Sequence, residues 1–340
     1  MKKHLNTLYI STDGTWLALD GETVKIKKDG KLLKRIPLHN IEAITSFGWD
    51  IAVSPQLMAK CSTMGINISM CNPYGKLLCR VSGFSHGNVL LRRQQYRLAD
   101  NAEASLCIAQ EMVAGKILNA RTNLQRSLRD KKSQDETLQN AIRELGNCVS
   151  SARIAQNASQ LLGVEGHAAE CYFTVFPKLI SNTDFNFTTR SRRPPKDEVN
   201  AMMSFVYSLL THDCRSALEA CGLDSAVGIY HQDRPGRPGL ALDLMEEFRA
   251  PLADRLVLTL INRKQVKQSD FSRDEGGAVT LSDEARRTVL THWQNRKQEE
   301  VIHPYLQEKM TIGMLPHIQA RLLAQHIRGG LDGYPPMVWK

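Results

Sequence analysis

The sequence predicts an α+β protein in which a small N-terminal β-sandwich-like domain, residues 1–88, precedes a larger all-α C-terminal domain, residues 89–340. Three observations support this prediction. The length of 340 residues suits two domains, because single hydrophobic cores stop growing before this size. Short apolar runs before residue 50 are punctuated by Asp13-Gly14, Asp20-Gly21 and Asp29-Gly30. Beyond residue 89, apolar residues instead recur at three- and four-residue steps, which is typical of helices.

The N-terminal domain is predicted to consist of short strands joined by hairpins. An Asp-Gly pair favours a two-residue turn, because the type I′ turn needs positive φ at both central residues. The predicted strands are Leu5–Ile10, Trp16–Leu19, Val24–Lys27, Leu32–Ile36 and Ile41–Thr45. A short helix over Pro55–Met64 and a last hairpin of Ile66–Met70 with Leu77–Val81 follow. Successive hairpins of this kind predict a small sandwich or meander.

The helical pattern begins near residue 89 and continues to about residue 329. It is clear at Leu209, Leu210, Cys214 and Leu218, which recur on one face of a helix. The predicted breaks are Gly163, Asn182–Pro195, Gly222–Gly239 and Ser269–Gly277.

The charge composition favours a polyanionic partner. The chain has 44 Lys and Arg residues against 35 Asp and Glu residues, a formal charge of +9 and a pI near 9.1. Nucleic acid is the first candidate and an anionic membrane surface the second, whereas lysines that serve only solubility are the alternative explanation. The cations come in discrete groups, such as Arg190, Arg192, Arg193 and Lys196.

Cysteine usage and hydropathy predict a protein of the reducing cytoplasm without membrane spans. None of the eight cysteines forms a CxxC pair, and several lie in apolar helical patterns, so we expect no disulfide framework. No apolar segment follows Met1-Lys2-Lys3, and runs such as Leu256–Ile261 are far shorter than a membrane span. The sequence also lacks a P-loop and a GxSxG motif, which argues against ATP use and a serine nucleophile.

Three segments place unusual polar residues on otherwise apolar elements. Glu165 sits between two glycines at the predicted start of a buried helix, where it is either a charge favoured by the helix dipole or part of a site approached by substrate. His231 precedes a loop rich in proline and glycine. Asp243 and Glu246 share one face of an apolar helix, repel each other and require a cation, which Arg249 or a metal ion can supply.

Together these residues form a set of oxygen and nitrogen donors. One imidazole with several carboxylates and no thiolate suits Mg²⁺ or Mn²⁺ better than structural zinc. Such a metal polarises a phosphoryl oxygen and neutralises charge on the attacking and leaving oxygens. The alternative is a scatter of helix caps and salt bridges, since the sequence leaves open whether the segments meet. His167 and Cys171 are also spaced to share a metal ion, but the sequence shows no second ligand pair for them.

The order and spacing of these motifs resemble one protein family. Gly163–Ala169, Arg192–Ala201 and His231 followed by Leu240–Arg249 together look like the CRISPR-associated endonuclease/integrase of spacer acquisition, the Cas protein numbered one. The resemblance covers nearly the whole chain and carries the same division into a β domain and a helical domain. The ending Asp332–Pro336 with Trp339 is most similar to the type I-C branch.

The resemblance implies a metal-dependent DNA endonuclease and integrase that joins the 3′-hydroxyl ends of short foreign DNA fragments to the CRISPR repeat by transesterification. It implies that Glu165, His231, Asp243 and Glu246 are catalytic, with Glu165, His231 and Glu246 as ligands of Mg²⁺ or Mn²⁺. Which of Asp243 and Glu246 contributes more to metal binding stays open. We expect phosphate contacts from Arg190, Arg192, Arg193, Lys196 and Arg249. For Arg249, ion pairing with its acidic neighbours is an equal alternative.

The resemblance also implies partners: DNA, a second copy of the chain, and a bridging dimer of the second-numbered Cas protein. The β domain would then serve dimerisation. Its cationic hairpin either contacts DNA or protects an exposed sheet edge, and consists of Lys25, Lys27, Lys28, Lys31, Lys34 and Arg35. Two competing hypotheses are a non-catalytic DNA-binding scaffold, in which the acids form caps and salt bridges, and an unrelated metal phosphohydrolase of small substrates.

Overall fold

The computed structural model describes residues 7–41, 43–73, 77–81, 83, 89–130 and 134–339. The chain divides into two compact units. The N-terminal unit comprises Met1–His86, Leu281–Glu299 and Thr311–Met314, and the helical unit comprises Gly87–Thr280, Glu300–Met310 and Leu315–Lys340. The sequence predicts a single division after residue 88, which places Leu281–Glu299 and Thr311–Met314 in the second domain. In the structure these two segments belong to the N-terminal unit.

Eight strands in the N-terminal unit form two four-stranded sheets. The strands are β1 (Thr7–Ile10), β2 (Thr15–Asp20), β3 (Thr23–Lys28), β4 (Lys31–Pro37), β5 (Ala43–Phe47), β6 (Ile51–Val53), β7 (Asn67–Cys71) and β8 (Leu77–Val81). One sheet has the order β1-β5-β7-β8 and the other β4-β3-β2-β6. Leu17 and Val24 of one sheet share a buried core with Ile44 and Ile68 of the other. Two sheets around one core confirm the predicted β-rich start of an α+β fold.

Two of the three Asp-Gly hairpins are confirmed. Gly21 turns β2 into antiparallel β3, and Asp29 with Gly30, at φ values of 50° and 77°, turns β3 into antiparallel β4. The hairpin predicted at Asp13 is wrong, because β1 and β2 belong to different sheets and β1 pairs in parallel with β5. The Asp13 carboxylate instead accepts hydrogen bonds from the backbone N–H groups of Trp49 (3.1 Å) and Asp50 (3.2 Å).

The remaining predicted elements of this unit are also found, although residues 5–6 of the first predicted strand lie outside the described residues. Helix α1 spans Pro55–Met64, with the Ser54 side chain accepting from the Leu57 N–H at its start. Strand β8 pairs antiparallel with β7, as predicted, although residues 74–76 of the connecting turn lie outside the described residues. Strand β4 is an edge strand, and most of it is exposed, including Lys31 and Lys34. This position fits the protection of a sheet edge by charge.

Helices build most of the second unit. They are α2 (Val89–Ala99), α3 (Ala102–Asp130), α4 (Glu136–Arg153), α5 (Ala158–Val175), α6 (Glu198–Ala220), α7 (Gly239–Met245), α8 (Arg255–Asn262) and, after α9 (Asp283–Gln298) of the N-terminal unit, α10 (Leu315–Ile327). A 3-10 turn, Glu246–Phe248, and a π-helical stretch, Arg249–Asp254, join α7 to α8. Two short hairpins, β9–β10 (Phe271–Arg273 and Val279–Leu281) and β11–β12 (Glu300–Ile302 and Lys309–Thr311), make the C-terminal region mostly rather than wholly helical.

The break predicted at Gly163 is wrong. Helix α5 begins after Asn157, whose side chain accepts from the Gln160 N–H at 2.9 Å, and continues through Gly163 to Val175. Glu165 therefore lies in the third turn of the helix, where a charge gains little from the N-terminal dipole. The other predicted breaks fall outside the α-helices, except that Gly239 is the first residue of α7.

Helix α3 is the longest element of the helical unit and packs against α4, α5 and the segment after α7. Its apolar stripe includes the buried residues Ile108, Met112 and Ile117. Among the residues that the structure describes, no helix has both the length and the apolar character needed to span a bilayer.

Candidate active site

The predicted acidic residues meet around a lysine. The Lys116 ammonium, on α3, contacts the Glu165 carboxylate on α5 and lies 2.7 Å from Oε2 of Glu246, just after α7. The three side chains are largely buried, with 17%, 18% and 6% of their surfaces exposed. Three elements that are distant in sequence thus bring two of the three predicted metal ligands together, and we call Lys116, Glu165, Glu246 and Arg249 the acidic cluster.

Arg249 supplies a second positive charge to Glu246. One terminal nitrogen of its guanidinium donates to both carboxylate oxygens of Glu246, at 2.6 and 2.8 Å. The guanidinium also stacks over the ring of Tyr207, with its central carbon 4.5 Å from the ring centroid. Of the two alternatives for Arg249, ion pairing is the one the structure shows.

These contacts determine the ionisation of both acids. Burial raises the pKa of Glu165, but the charge of Lys116 and the hydrogen bonds from Lys116 and Tyr230 outweigh it, so that this pKa lies below its ordinary value. Burial acts on Glu246 in the same way, and the charges of Arg249 and Lys116 hold its pKa well below the usual range. Both carboxylates are therefore ionised at neutral pH.

Tyr230 fixes the second oxygen of Glu165. Its hydroxyl donates a hydrogen bond of 2.7 Å to Oε2. Burial, followed by the negative charge of Glu165, raises the pKa of Tyr230 well above its ordinary value. The hydroxyl therefore stays protonated and acts only as a donor to this oxygen at physiological pH.

Asp243 organises the turn that carries His231. Its fully buried carboxylate accepts hydrogen bonds from the backbone N–H groups of Ile229 (2.6 Å), Tyr230 (3.0 Å) and His231 (2.9 Å). Nδ1 of His231 lies 2.6 Å from the same carboxylate. Because Nδ1 is occupied, Nε2 is the imidazole atom that can serve as a ligand. Asp243 is thus a positioning residue for His231, whereas Glu246 faces the cations of the cluster.

Glycine is required where this turn approaches α7. A Cβ atom on Gly228 would lie 2.2 Å from the carbonyl oxygen of His231, and one on Gly239 would lie 2.8 Å from the carbonyl oxygen of Ala226. Neither clash can be relieved without moving backbone. The Pro- and Gly-rich loop seen in the sequence therefore allows the close packing that places His231 beside Asp243.

The donor set of Glu165, His231 and Glu246 fits Mg²⁺ or Mn²⁺ in its chemistry, since these ions prefer carboxylate oxygens and accept imidazole. The convergence of two ionised carboxylates on the Lys116 ammonium shows that this position stabilises a cation. The ligand atoms of Glu165, His231 and Glu246 do not, however, all lie within 4.8 Å of one another. Among the described residues, the group of three potential ligands found within 4.8 Å of one another is Glu144, Cys148 and His167.

The cationic loop before α6 contains two kinds of arginine. Arg190 donates to Oδ1 of the buried Asn200 at 2.6 Å and to the Ser204 hydroxyl at 3.3 Å, so it anchors the loop to α6. Arg192, Arg193 and Lys196 are exposed and, within the described residues, form no ion pair. These three side chains are available to a polyanion, whereas most of the Arg190 guanidinium is already engaged.

A cavity of about 60 Å³ lies against the acidic cluster. Its lining includes Lys116, Glu165, Arg192, Tyr207, Arg249 and Asp254. Asp254 is buried beneath it and accepts hydrogen bonds from the hydroxyls of Tyr207 (2.6 Å) and Tyr172 (3.0 Å). The lining of the cavity thus includes both the exposed Arg192 and the largely buried acids Glu165 and Asp254.

Sequence reasoning missed Lys116, Tyr207 and Tyr230. A signal for Lys116 exists, because it lies four residues after Met112 and eight after Ile108, on the stripe of α3 that is otherwise apolar. A lysine at such a position needs a buried anionic partner. The two tyrosines have no comparable signal, since their hydroxyls meet Asp254 and Glu165 only through the tertiary fold.

Glu247 belongs to a different arrangement, which we call the C-terminal clasp: Asn119, Glu247, Gln319, Tyr334 and Met337. The fully buried Glu247 carboxylate accepts from the Tyr334 hydroxyl (2.5 Å), the Gln319 amide (2.9 Å) and the Met337 N–H (2.7 Å). The Asn119 amide donates to the carbonyl oxygens of Glu247 and Met337, both at 2.7 Å. Burial raises the pKa of Glu247 to about 7. This carboxylate holds the C-terminal segment in place.

Comparisons with known proteins agree with this architecture. The family model described as CRISPR associated protein Cas1 matches residues 8–295. The chain is 50% identical over 344 residues to CRISPR-associated endonuclease Cas1 1 of Chlorobaculum tepidum, and the match covers 100% of both chains. A chain of a solved Cas6-RT-Cas1–Cas2 complex is 27% identical with a TM-score of 0.82, covering 100% of this chain and 36% of that one. A casposase bound to integration product has the same fold, with a TM-score of 0.85 at 23% identity over 99% of this chain and 95% of that chain.

Proposed function

We propose that this chain, which belongs to the CRISPR-associated protein Cas1 family, cuts and joins DNA phosphodiester bonds at its acidic cluster with the help of Mg²⁺ or Mn²⁺. Membership of this family supports the function of an endonuclease of CRISPR adaptation, and the relative in Chlorobaculum tepidum is named a CRISPR-associated endonuclease. The observation that carries the site is the convergence of ionised Glu165 and Glu246 on one buried cation beside exposed arginines. The type I-C branch stays a prediction.

Glu165, Glu246 and Nε2 of His231 would hold the metal ion. When bound, a divalent ion polarises the scissile phosphoryl oxygen and neutralises charge in the transition state. We expect it to compete with the Lys116 ammonium, which lies between the two carboxylates. Lys116 thus stabilises the ionised acids before metal binds and is free to face phosphate afterwards.

The chain's other residues position these groups. Asp243 orients His231, Tyr230 holds Glu165, and Arg249 fixes both oxygens of Glu246. In the joining step, the 3′-hydroxyl of a fragment forms a new bond to phosphorus as the old phosphorus–oxygen bond breaks, and the leaving oxygen takes up a proton. One phosphate ester replaces another, so ATP is not required. Catalysis then rests on positioning and electrostatics.

Three partners follow from this function. DNA phosphates meet the exposed Arg192, Arg193 and Lys196, which fits the net charge of +9. A Cas2 protein is the second partner, as in the solved Cas6-RT-Cas1–Cas2 complex. A second copy of the chain is the third, and the exposed Trp16 and Leu33 of the β4-β3-β2-β6 sheet offer apolar surface for it.

The test is strand transfer of a labelled DNA fragment into a plasmid that carries a CRISPR repeat, in Mn²⁺ or Mg²⁺. Glu165→Gln and Glu246→Gln keep side-chain size but remove a charge, and His231→Asn removes Nε2. Each is expected to lower the rate at least about 100-fold. DNA binding at equal salt should be retained. Glu170→Gln makes the same change at an exposed position of α5 and is expected to keep full activity.

A non-catalytic DNA-binding scaffold is the second candidate, because Lys116 and Arg249 already balance the charge of the acidic cluster. Such a scaffold would bind DNA without strand transfer in any metal. It would also show no rise in melting temperature with Mn²⁺, since a metal site that exists only in the folded protein must raise it. Retained strand transfer in all three active-site variants would refute the site assignment.

A further inference from the structure

Helices α4 and α5 carry a second cluster of potential metal ligands, away from the acidic cluster. Glu144 and Cys148 are four residues apart on α4, and His167 and Cys171 are four residues apart on α5. Residues at this spacing lie on one face of a helix. The structure packs α4 against α5. The ligand pair for His167 and Cys171 that the sequence does not reveal is therefore supplied by the neighbouring helix.

Some of the separations between these atoms already fit a tetrahedral site. The ligand atoms of Glu144, Cys148 and His167 all lie within 4.8 Å of one another. Nε2 of His167 is 3.3 Å from Oε1 of Glu144 and 3.7 Å from Sγ of Cys171. Metal–ligand bonds of about 2.0–2.3 Å in a tetrahedron place neighbouring ligand atoms roughly 3.3–3.8 Å apart. Two of the separations already lie in this range, and closing the site requires side-chain rotation that brings Sγ of Cys171 towards Glu144 and Cys148.

We infer that Glu144, Cys148, His167 and Cys171 bind one Zn²⁺ ion. Two thiolates, one imidazole and one carboxylate form a borderline-to-soft donor set, which favours zinc over the Mg²⁺ or Mn²⁺ expected at the acidic cluster. Four protein ligands fill a tetrahedral coordination shell, so the site is structural and leaves no position for substrate. Cys148 is buried, whereas the Glu144 and His167 side chains are 46% and 53% exposed, which gives the ion a path from solvent.

The zinc ion would clamp α4 to the helix that carries Glu165. His167 follows Glu165 by two residues and so points about 200° away from it around the helix axis. The two sites thus use different faces of α5. Zinc binding is expected to stabilise the fold, because an ion that binds only the folded state raises its melting temperature.

The test uses the 340-residue chain, stripped of metal with a chelator and kept reduced. One equivalent of Zn²⁺ should bind, as measured by elemental analysis after gel filtration and by competition with a chromogenic chelator. Co²⁺ in its place should give the intense visible bands of tetrahedral coordination and near-ultraviolet bands of sulfur-to-cobalt charge transfer. Cys171→Ser and His167→Asn should each weaken Zn²⁺ binding about tenfold or more and reduce these bands. Both residues are partly or largely exposed, and circular dichroism would check that both variants fold.

Two controls make the outcome decisive. Cys107→Ser changes an exposed cysteine on α3, outside the cluster, and should bind Zn²⁺ as the unchanged chain does. Glu246→Gln disables the acidic cluster and should also leave Zn²⁺ binding unchanged, so that failure of one site is distinguished from failure of the other. The inference is overturned if the unchanged chain binds no stoichiometric Zn²⁺, if Co²⁺ shows no thiolate bands, or if Cys171→Ser and His167→Asn bind Zn²⁺ as tightly as Cys107→Ser.

Discussion

Glu246 and Glu247 are adjacent in the chain but belong to two regions, the acidic cluster and the C-terminal clasp. Both side chains are buried, and burial alone raises the pKa of either. The pKa of Glu246 nevertheless lies well below its ordinary value, because Arg249 and Lys116 face it. Burial raises the pKa of Glu247 to about 7, because the hydrogen bonds from its three neutral donors lower this pKa by less than burial raises it. The charge of the partners, rather than depth, decides which buried carboxylate stays ionised.

This difference separates a region suited to cation chemistry from one suited to holding structure. Ionised carboxylates that share cations can exchange an ammonium group for a metal ion. A carboxylate surrounded by a hydroxyl, an amide and a backbone N–H has no cation to exchange and serves as a fixed acceptor. The two regions should therefore respond differently to substitution, to metal and to pH.

The largest effect is expected from matched substitutions at the two glutamates. Glu246→Gln should lower metal-dependent strand transfer at least about 100-fold, because it removes a proposed metal ligand and the negative charge of that carboxylate. Glu247→Gln should stay within about threefold of the unchanged chain at pH 7, since Glu247 faces the C-terminal segment. Initial rates of strand transfer measure both. Equal losses in the two variants would show that the clasp and the cluster act as one unit.

Lys116→Met should make the fold dependent on divalent metal. The substitution leaves two ionised, largely buried carboxylates facing each other, and breaking a buried ion pair costs about 3–5 kcal/mol. The melting temperature without metal should therefore fall. Mn²⁺ should raise it by more than in the unchanged chain, because the ion no longer competes with an ammonium group. A variant whose melting temperature does not respond to Mn²⁺ would contradict the proposed competition.

The clasp should be sensitive to pH between about 4.5 and 7. In this range Glu247, with its pKa raised from 4.5 to about 7, holds a proton in the folded protein that the unfolded chain has lost. The free energy of unfolding should therefore decrease as the pH rises, by about 3 kcal/mol at most. Glu247→Gln cannot titrate and should flatten this dependence, as measured by urea unfolding at several pH values.

One neighbouring group, His303, changes the free energy of unfolding with pH in the opposite direction. Burial lowers the pKa of His303, whose ring contacts Gln319 of the clasp at 3.0 Å, so its contribution to stability grows as the pH rises towards 6.5. This contribution is present in both proteins and cancels in the difference between the unchanged chain and Glu247→Gln. If the difference in the free energy of unfolding between the two proteins does not change with pH, Glu247 is ionised in the folded state.

The smallest effects are expected at the exposed cations. Arg192→Ala and Arg193→Ala should each weaken DNA binding modestly and reduce the slope of log K against log salt by about 0.9. Arg190→Ala should instead lower the melting temperature, because it removes the anchor to Asn200 and Ser204. Fluorescence anisotropy at several salt concentrations measures the slopes. A larger change of slope for Arg190 than for Arg192 would reverse the assignment of anchor and phosphate contact.

Much of the fold was predictable from local signals. Asp29-Gly30 and the spacing of apolar residues report directly on a turn and on helices, because these elements form from neighbouring residues. The hairpin predicted at Asp13-Gly14 is wrong, because an Asp-Gly pair does not show whether the next strand joins the same sheet or another one. The helix break predicted at Gly163 is also wrong, because the packing of α5 outweighs the low helix propensity of one glycine.

The site was predictable in part. Glu165 and Glu246 stand out in the sequence as carboxylates on otherwise apolar elements, and in the structure both contact Lys116. That they converge on Lys116, and that Asp243 engages the turn of His231, depends on contacts between segments more than ten residues apart. The proposed zinc ligands on α4 could not be predicted for the same reason, since nothing in the sequence around Glu144 indicates that His167 lies opposite it.

Helix α9 belongs to the N-terminal unit although it lies near the end of the chain. Its Trp293 is fully buried, Gln294 donates to the carbonyl oxygen of Thr7 at 3.0 Å, and Arg286 donates to that of Pro73 at 3.1 Å. During synthesis on the ribosome, the first unit therefore cannot be completed until after the whole segment that carries the acidic cluster has emerged. The first part to be translated is among the last to finish folding, and a fragment that stops at residue 88 should not be a stable protein.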